Sequence, residues 1–191
     1  MASIIKVNEY KDFGNNDIIT SDGAGVLTLS SGMNTAVAAG TNMTPAFSAY
    51  NSAATVLSDA SLTTIKFDTE NFDTDSAFDT SNYTFTVPSG EGGEYYFSTR
   101  MEVEAGGDGR YDNFYVRIRK NGSSTIKEIH YYPGTATYSP RTWTWEVNCT
   151  ATLVAADAIT VAIYMDFNAG APQVQGSAAS SEFAGFRIIG A

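Results

Sequence analysis

The chain predicts an all-β fold, an antiparallel jelly-roll β-sandwich preceded by an extended N-terminal arm. From Pro45 onward, short segments alternate apolar and polar residues with period two, the mark of strands with one buried face. Clusters of Gly, Asn, Asp and Pro separate these segments. No stretch sustains a helical period, and eight or more such strands in this length point to a sandwich.

The strands are legible in order. Tyr83-Thr84-Phe85-Thr86-Val87 alternates and stops at Pro88. Tyr95, Phe97, Thr99, Met101 and Val103 share one parity and end at Gly106-Gly107. Phe114, Val116 and Ile118 oppose Tyr115, Arg117 and Arg119, and Asn121-Gly122 then marks a tight turn. Trp143, Trp145, Val147 and Cys149 oppose Thr144, Glu146 and Asn148. Ile159, Val161, Ile163, Met165 and Phe167 oppose Thr160, Ala162 and Tyr164.

Residues 1–44 have a different texture, rich in Gly, Ala, Ser, Thr and Asn, with apolar residues only in short pieces. Those pieces supply Ile4, Ile5, Val7, Ile18, Ile19, Val26, Leu27 and Leu29. Ser21-Asp22-Gly23-Ala24-Gly25 is a turn signal, so Ile18-Ile19 and Val26-Leu29 are expected to pair as a small hairpin. Ser30 to Thr44 reads as an extended connector. So little apolar mass builds no core of its own; the arm is expected to order against trimer mates or a larger scaffold. The organisation is therefore an arm over 1–44 and a jelly-roll domain over 45–191.

Bulk composition narrows the function. The chain has 191 residues, with 11 Lys and Arg against 21 Asp and Glu, for a net charge of −10. Binding nucleic acid by neutralising phosphates is not expected at that balance. No stretch approaches the about 18 apolar residues of a membrane span, so membrane insertion is not expected. The start lacks a basic region followed by an apolar run, which reads as a chain made in the cytoplasm without a signal peptide. Cys149 is the single cysteine; it falls on an apolar parity and reads as a small buried hydrophobe.

Chemistry is poorly provided for. His130 is the only histidine, and no nucleophile-elbow sequence accompanies it. No His or Cys cluster offers a zinc or iron site, and no cofactor is expected. Asp68, Glu70, Asp73, Asp75 and Asp79 form an acidic stretch, but the fixed Gly and terminal Glu of a calcium loop are missing, so it reads as a solvated loop.

Several motifs carry a resemblance. Phe67, Asp73, Phe78 and Phe85 lead into Gly93-Glu94-Tyr95-Tyr96-Phe97, and the chain closes with Phe183-Ala184-Gly185-Phe186-Arg187-Ile188. Pro45-Ala46-Phe47-Ser48-Ala49 opens this pattern, Lys120-Asn121-Gly122 sits at its central turn, and Asp157 marks the turn before its penultimate strand. In order and spacing, residues 45–191 resemble the globular-head domain of the complement and tumour necrosis factor (TNF) superfamily. The chain departs from that pattern in a Gly-rich insertion between Phe85 and Gly93, in Thr99 where an aromatic is common, and in lacking the usual cysteines and a collagen stalk. The resemblance implies a jelly roll that works as a homotrimer and binds rather than catalyses.

Eleven Tyr and eleven Phe exceed what a sandwich interior needs. Aromatics on an outward parity mark either an interface or a cluster under a loop; Tyr96, Tyr164 and Phe186 are the candidates for the trimer contact that the resemblance implies. Tyr131, Tyr132 and Tyr138 are expected in a loop, where they cover a hairpin; the alternative is that they stack on a host glycan. The arm's composition resembles structural proteins of tailed bacteriophages. With the absent stalk, that resemblance implies a virion surface protein: a capsid decoration (cement) protein whose arm holds the major capsid protein or another virion component. The alternative is the receptor-binding tip of a tail or head fibre.

Overall fold

A computed structural model describes residues 9–21, 24, 27–29, 43–106, 111–132 and 141–190. Among the described residues the protein is all-β, with 62% strand and 0% helix. The chain divides into two compact units, Met1–Asn42 and Met43–Ala191.

The described residues of the first unit include a three-stranded antiparallel sheet of β1 (Glu9–Lys11), β2 (Asp17–Ser21) and β3 (Leu27–Leu29), in that order. The expected pairing is present, with Ile19 opposite Leu29 and Thr20 opposite Thr28. The strand β1 has no counterpart in the sequence reading: Glu9-Tyr10-Lys11 is too polar to announce itself, yet it pairs with β2 from the other side.

The second unit is a sandwich of two antiparallel sheets. One contains β4 (Ala46–Tyr50), β5 (Thr55–Val56), β7 (Thr69–Asp73), β10 (Gly93–Glu104), β13 (Thr142–Leu153), β15 (Gln173–Val174) and β16 (Ser181–Gly190). In it β10 lies between β13 and β16, and β4 lies between β16 and β7. The other contains β6 (Ser61–Thr64), β8 (Phe78–Asp79), β9 (Thr84–Thr86), β11 (Tyr111–Lys120), β12 (Ser124–Tyr131) and β14 (Ala158–Phe167). Here β11 lies between β12 and β14, while β6 and β9 pair with β14 on its far side. The chain crosses between sheets after β5, β6, β7, β9, β10, β12, β13 and β14, which is jelly-roll connectivity.

The alternations become the core. Tyr95, Phe97, Met101 and Val103 from one sheet meet Phe114, Val116, Ile118, Ile159, Val161, Ile163 and Met165 from the other, all buried. Phe47 sits at the aromatic centre, stacked at 4.9 Å on both Phe78 and Phe85 and edge-on to Phe183 at 5.0 Å. Burying each such side chain stabilises the fold by roughly 1.5–3 kcal/mol relative to exposure. Thr99 replaces an aromatic on this face without leaving an unpaired hydroxyl: it is buried, and its Oγ1 donates to the Glu182 carbonyl at 3.0 Å. The Gly-rich insertion is tied down by Tyr95, whose hydroxyl donates to the Glu91 carbonyl at 2.5 Å; burial pushes that phenol up to about 12.

Turn chemistry fixes the register of β11 and β12. Asn121 and Gly122 take positive φ values of 51° and 69°, the left-handed conformation that suits tight hairpins. Asn121 then reaches back to the β13–β14 turn. Its amide donates to Asp157 at 3.0 Å and its oxygen accepts from Ala158 N at 2.8 Å. Asp157 also accepts from Val154 N at 2.9 Å and pairs with Lys120 at 2.6 Å. Burial works to raise this carboxyl, and the Lys120, Val154 and Asn121 bonds overcome it, holding it below its ordinary 3.8.

Candidate functional site: outward aromatic surfaces

The side chains of β10 alternate strictly between buried and half-buried, so its second parity faces outward. Tyr96 lies there, directly opposite Phe186 on β16, with ring centroids 5.4 Å apart. The next row holds Ser98, Ala184, Ser48 and Phe72, one on each of four successive strands. Phe72 is 52% exposed, and Ile188 and Ile189 extend the apolar band toward the end of β16. A polar network borders it: Ser48 donates to Glu182 at 2.6 Å, Asn71 donates to Ser48 at 2.9 Å, and Arg100 donates to the Ala179 carbonyl at 2.6 Å. Two of the residues expected at a trimer contact, Tyr96 and Phe186, thus lie together in one outward patch. Phe72 was hidden in the sequence by its acidic neighbours.

Tyr164 is not brought to that patch. It belongs to β14, on the outward side of the other sheet, where it stacks on Tyr115 at 4.6 Å with 4° between planes. The Arg117 guanidinium lies 4.0 Å from the Tyr115 ring centroid and pairs with Glu128. His130 stands edge-on to Tyr115, with its Nε2 2.5 Å from Asn113 Oδ1. Period-two parity identified Tyr164 as outward-facing, but sheet membership depends on long-range pairing that parity does not contain.

The strands β12 and β13 each pair on one side only among the described residues. Their inward residues are therefore half-covered. Trp145 stacks on Phe114 at 5.0 Å, Trp143 meets Phe114 edge-on at 5.9 Å, and Tyr131 leans on Trp145 at 5.9 Å. The indole nitrogens of Trp143 and Trp145 are buried without a hydrogen-bond partner among the described residues. Tyr131 is 45% exposed and Tyr132 is exposed beside it, whereas Tyr138 lies outside the described residues. Tyr131 is thus half of an aromatic seam rather than a free loop residue. Cys149, half-buried on this edge, has its thiol pushed up by burial against the opposing pull of Lys127.

In the N-terminal unit, Ile18, Ile19 and Leu29 are half-buried in the small sheet, and Leu27 pairs opposite Ser21. Ile4, Ile5, Val7 and Val26 lie outside the described residues. The prominent residue here is one the sequence did not single out. Phe13, at the β1–β2 turn, is 114% exposed, and Tyr10 is exposed behind it. The turn beneath it is tightly organised: Asp12 accepts from Gly14 N at 2.8 Å, from Asn16 N at 2.9 Å and from the Asn16 amide at 3.0 Å. The Asn16 side chain is the main reason the Asp12 carboxyl is held below its ordinary 3.8.

The acidic stretch is spent on local structure. Asp68 accepts from Ser52 N at 2.7 Å and Ser52 Oγ at 2.9 Å, Asp73 from Phe78 N at 2.8 Å, and Asp79 from Ser81 N at 2.8 Å. Among the described residues no three His, Cys, Asp or Glu side chains converge as for a metal ion.

No protein-family model and no curated protein sequence matches the chain. Solved structures do. The globular domain of zebrafish complement 1qA protein is similar with a TM-score of 0.53 at 15% identity, over 77% of this chain and 99% of that one. The Eiger TNF of S. frugiperda is similar with a TM-score of 0.53 at 11% identity, over 76% of this chain and 93% of that one. The fold is the complement and TNF type of jelly roll.

Proposed function

We propose that the protein is a non-enzymatic surface module whose jelly rolls close into a homotrimer, leaving the N-terminal arm to attach the assembly to a larger shell. The observation that carries this reading is the Tyr96–Phe186 pair, with Phe72 and the β16 isoleucines around it. Together they form an apolar band on the outward face of a sheet, where water would otherwise lie. Such a band is the signature of a protein interface. The half-open seam of Trp143, Trp145 and Tyr131 is a different surface, at the sandwich edge. A contact of edge on face is heterologous, and heterologous contacts form a ring when the rotation between copies closes. A ring of three is what the sequence resemblance implies.

The non-catalytic reading is supported by the setting of His130, whose contacts are an amide oxygen and a tyrosine ring rather than a hydroxyl or thiol to activate. The attachment reading, a capsid decoration protein of a tailed phage, is supported by the separate N-terminal unit and by the net charge of −10, which keeps a densely repeated surface soluble. A receptor-binding tip is favoured by one observation, the 70% exposure of Tyr132.

Light scattering on the full chain tests the assembly. The wild type is expected at three times the chain mass and Phe186→Glu at the chain mass, with an unchanged circular dichroism spectrum. A folded Phe186→Glu protein that still forms trimers would remove the basis of this reading.

A further inference from the structure

The β1–β2 turn spends its polar groups on holding one apolar side chain in water. Asp12 N donates to the Asn16 carbonyl at 3.0 Å and Asn15 N donates to the Asp12 carbonyl at 3.0 Å, while the Asp12 carboxylate takes Gly14 N and both Asn16 donors. Asn15 closes the turn at a φ of 62°. Lys11 is likewise engaged, paired with Glu9 at 3.3 Å and with Asp17. Phe13 takes no part in this. With 114% of its reference surface exposed, it covers no core of its own unit. A shallow, open hollow lined by Lys11, Asp12, Phe13 and Ile18 lies at its base.

We propose that Phe13 is the anchor by which the arm grips its partner, inserting into an apolar pocket with a basic rim on a shell protein; this inference rests on the attachment reading above. An aromatic ring is the side chain that most often dominates an interface, provided it is received in a desolvated pocket. A turn already locked before binding loses little further freedom on docking. The rim follows from charge. Glu9, Asp12 and Asp17 face only Lys11 across residues 9–21, so the hairpin is acidic around an uncharged tip. That excess complements Lys or Arg around the pocket and disfavours an anionic lipid surface. The hollow beside Phe13 gives the rim a place to close on the knob.

The test uses full-length protein and purified shells assembled without it, with binding followed by co-sedimentation. Phe13→Ala is expected to weaken binding by about 30-fold or more, Phe13→Leu to retain most of it, and added salt to weaken the wild type. Both variants are expected to melt with the wild type and keep its mass in light scattering. Phe13→Ala that binds as tightly as the wild type overturns the anchor while leaving the attachment reading in place. Wild-type protein that does not bind shells overturns the attachment reading, and the anchor with it. Loss of self-association in Phe13→Ala would assign the knob to a second copy of this chain. Binding of the wild type, but not Phe13→Ala, to phosphatidylcholine vesicles in place of shells would assign it to lipid. Either result overturns the proposal.

Discussion

Gly185 sits directly opposite Phe97 on one side and Phe47 on the other, so closely that a Cβ added to it would lie 2.5 Å from Phe97 Cδ1 and 2.9 Å from Phe47 Cε1. The glycine is required by packing: the two rings fill the space that its side chain would take. Because both rings are fully buried among Phe85, Phe183 and Tyr95, neither can turn away freely. Gly185→Ala is therefore expected to destabilise the domain by about 1–3 kcal/mol through overpacking. Urea unfolding would show a lower midpoint with an unchanged slope. A variant as stable as the wild type would mean that the aromatic centre repacks around the methyl group.

Thr55 presents the reverse case. It is buried on β5 opposite Val174, and its hydroxyl has no hydrogen-bond partner among the described residues. A buried hydroxyl left unpaired costs about 1–3 kcal/mol, and Val has nearly the same shape with a better strand preference. Thr55→Val is expected to raise the melting temperature, by an amount corresponding to about 1 kcal/mol. A lower melting temperature would show that the hydroxyl is satisfied in solution.

Acid should act through Asp157. Its carboxyl is held below 3.8 in the folded protein, despite its burial, by Lys120, Val154 N and Asn121. The folded state therefore prefers the ionised form. The resulting stabilisation is complete above about pH 3.8 and is lost as the pH falls through the lower folded value. Asp157→Asn is expected to cost about 2–4 kcal/mol at neutral pH, because it leaves Lys120 without its partner. The gap between variant and wild type should narrow below pH 3.8. Parallel stability curves from pH 7 to pH 2 would assign the acid sensitivity to other carboxyls, such as Asp12 and Asp79, which are also held low.

Tyr164 should be silent in assembly. It stacks on Tyr115 on the sheet opposite the Tyr96–Phe186 band. Tyr164→Ser is expected to lower the melting temperature slightly through loss of the stack while leaving the light-scattering mass unchanged. A monomeric but folded Tyr164→Ser protein would move the interface to the second sheet.

Much of the fold was legible because each long strand carries its own period. The parity of Tyr95, Phe97, Met101 and Val103 told which side is buried, since a strand with one wet face alternates. The same parity is blunted on β13, where Trp143, Trp145 and Cys149 remain half-exposed because an edge strand has a neighbour on one side only. The candidate surfaces were less legible. Phe72 sits among Glu70, Asn71 and Asp73, where local composition reads as a solvated loop; it joins Ser48 and Ala184 only through pairing far along the chain. Phe13 is a single apolar residue between Asp and Gly, and no period marks one residue. Its exposure depends on the Asp12 turn, a hydrogen-bond arrangement that residue types alone do not dictate.

Mixing two variants should reveal the geometry of assembly. Phe186→Glu places a charge in the outward band, and Tyr131→Glu places one at the sandwich edge, where the wild-type ring is 45% exposed and leans on Trp145. If edge packs on face, each variant alone lacks one half of every contact and is monomeric. A one-to-one mixture then restores one contact, between the intact edge of the Phe186→Glu chain and the intact face of the Tyr131→Glu chain. That pair cannot grow or close, because its remaining edge and face both carry the charge. Light scattering of the mixture is therefore expected at twice the chain mass, with neither trimers nor larger species. In a face-on-face arrangement, Tyr131→Glu alone would assemble as the wild type does and Phe186→Glu would not join it. Double mass in the mixture, from two monomeric components, is the outcome unique to a heterologous contact.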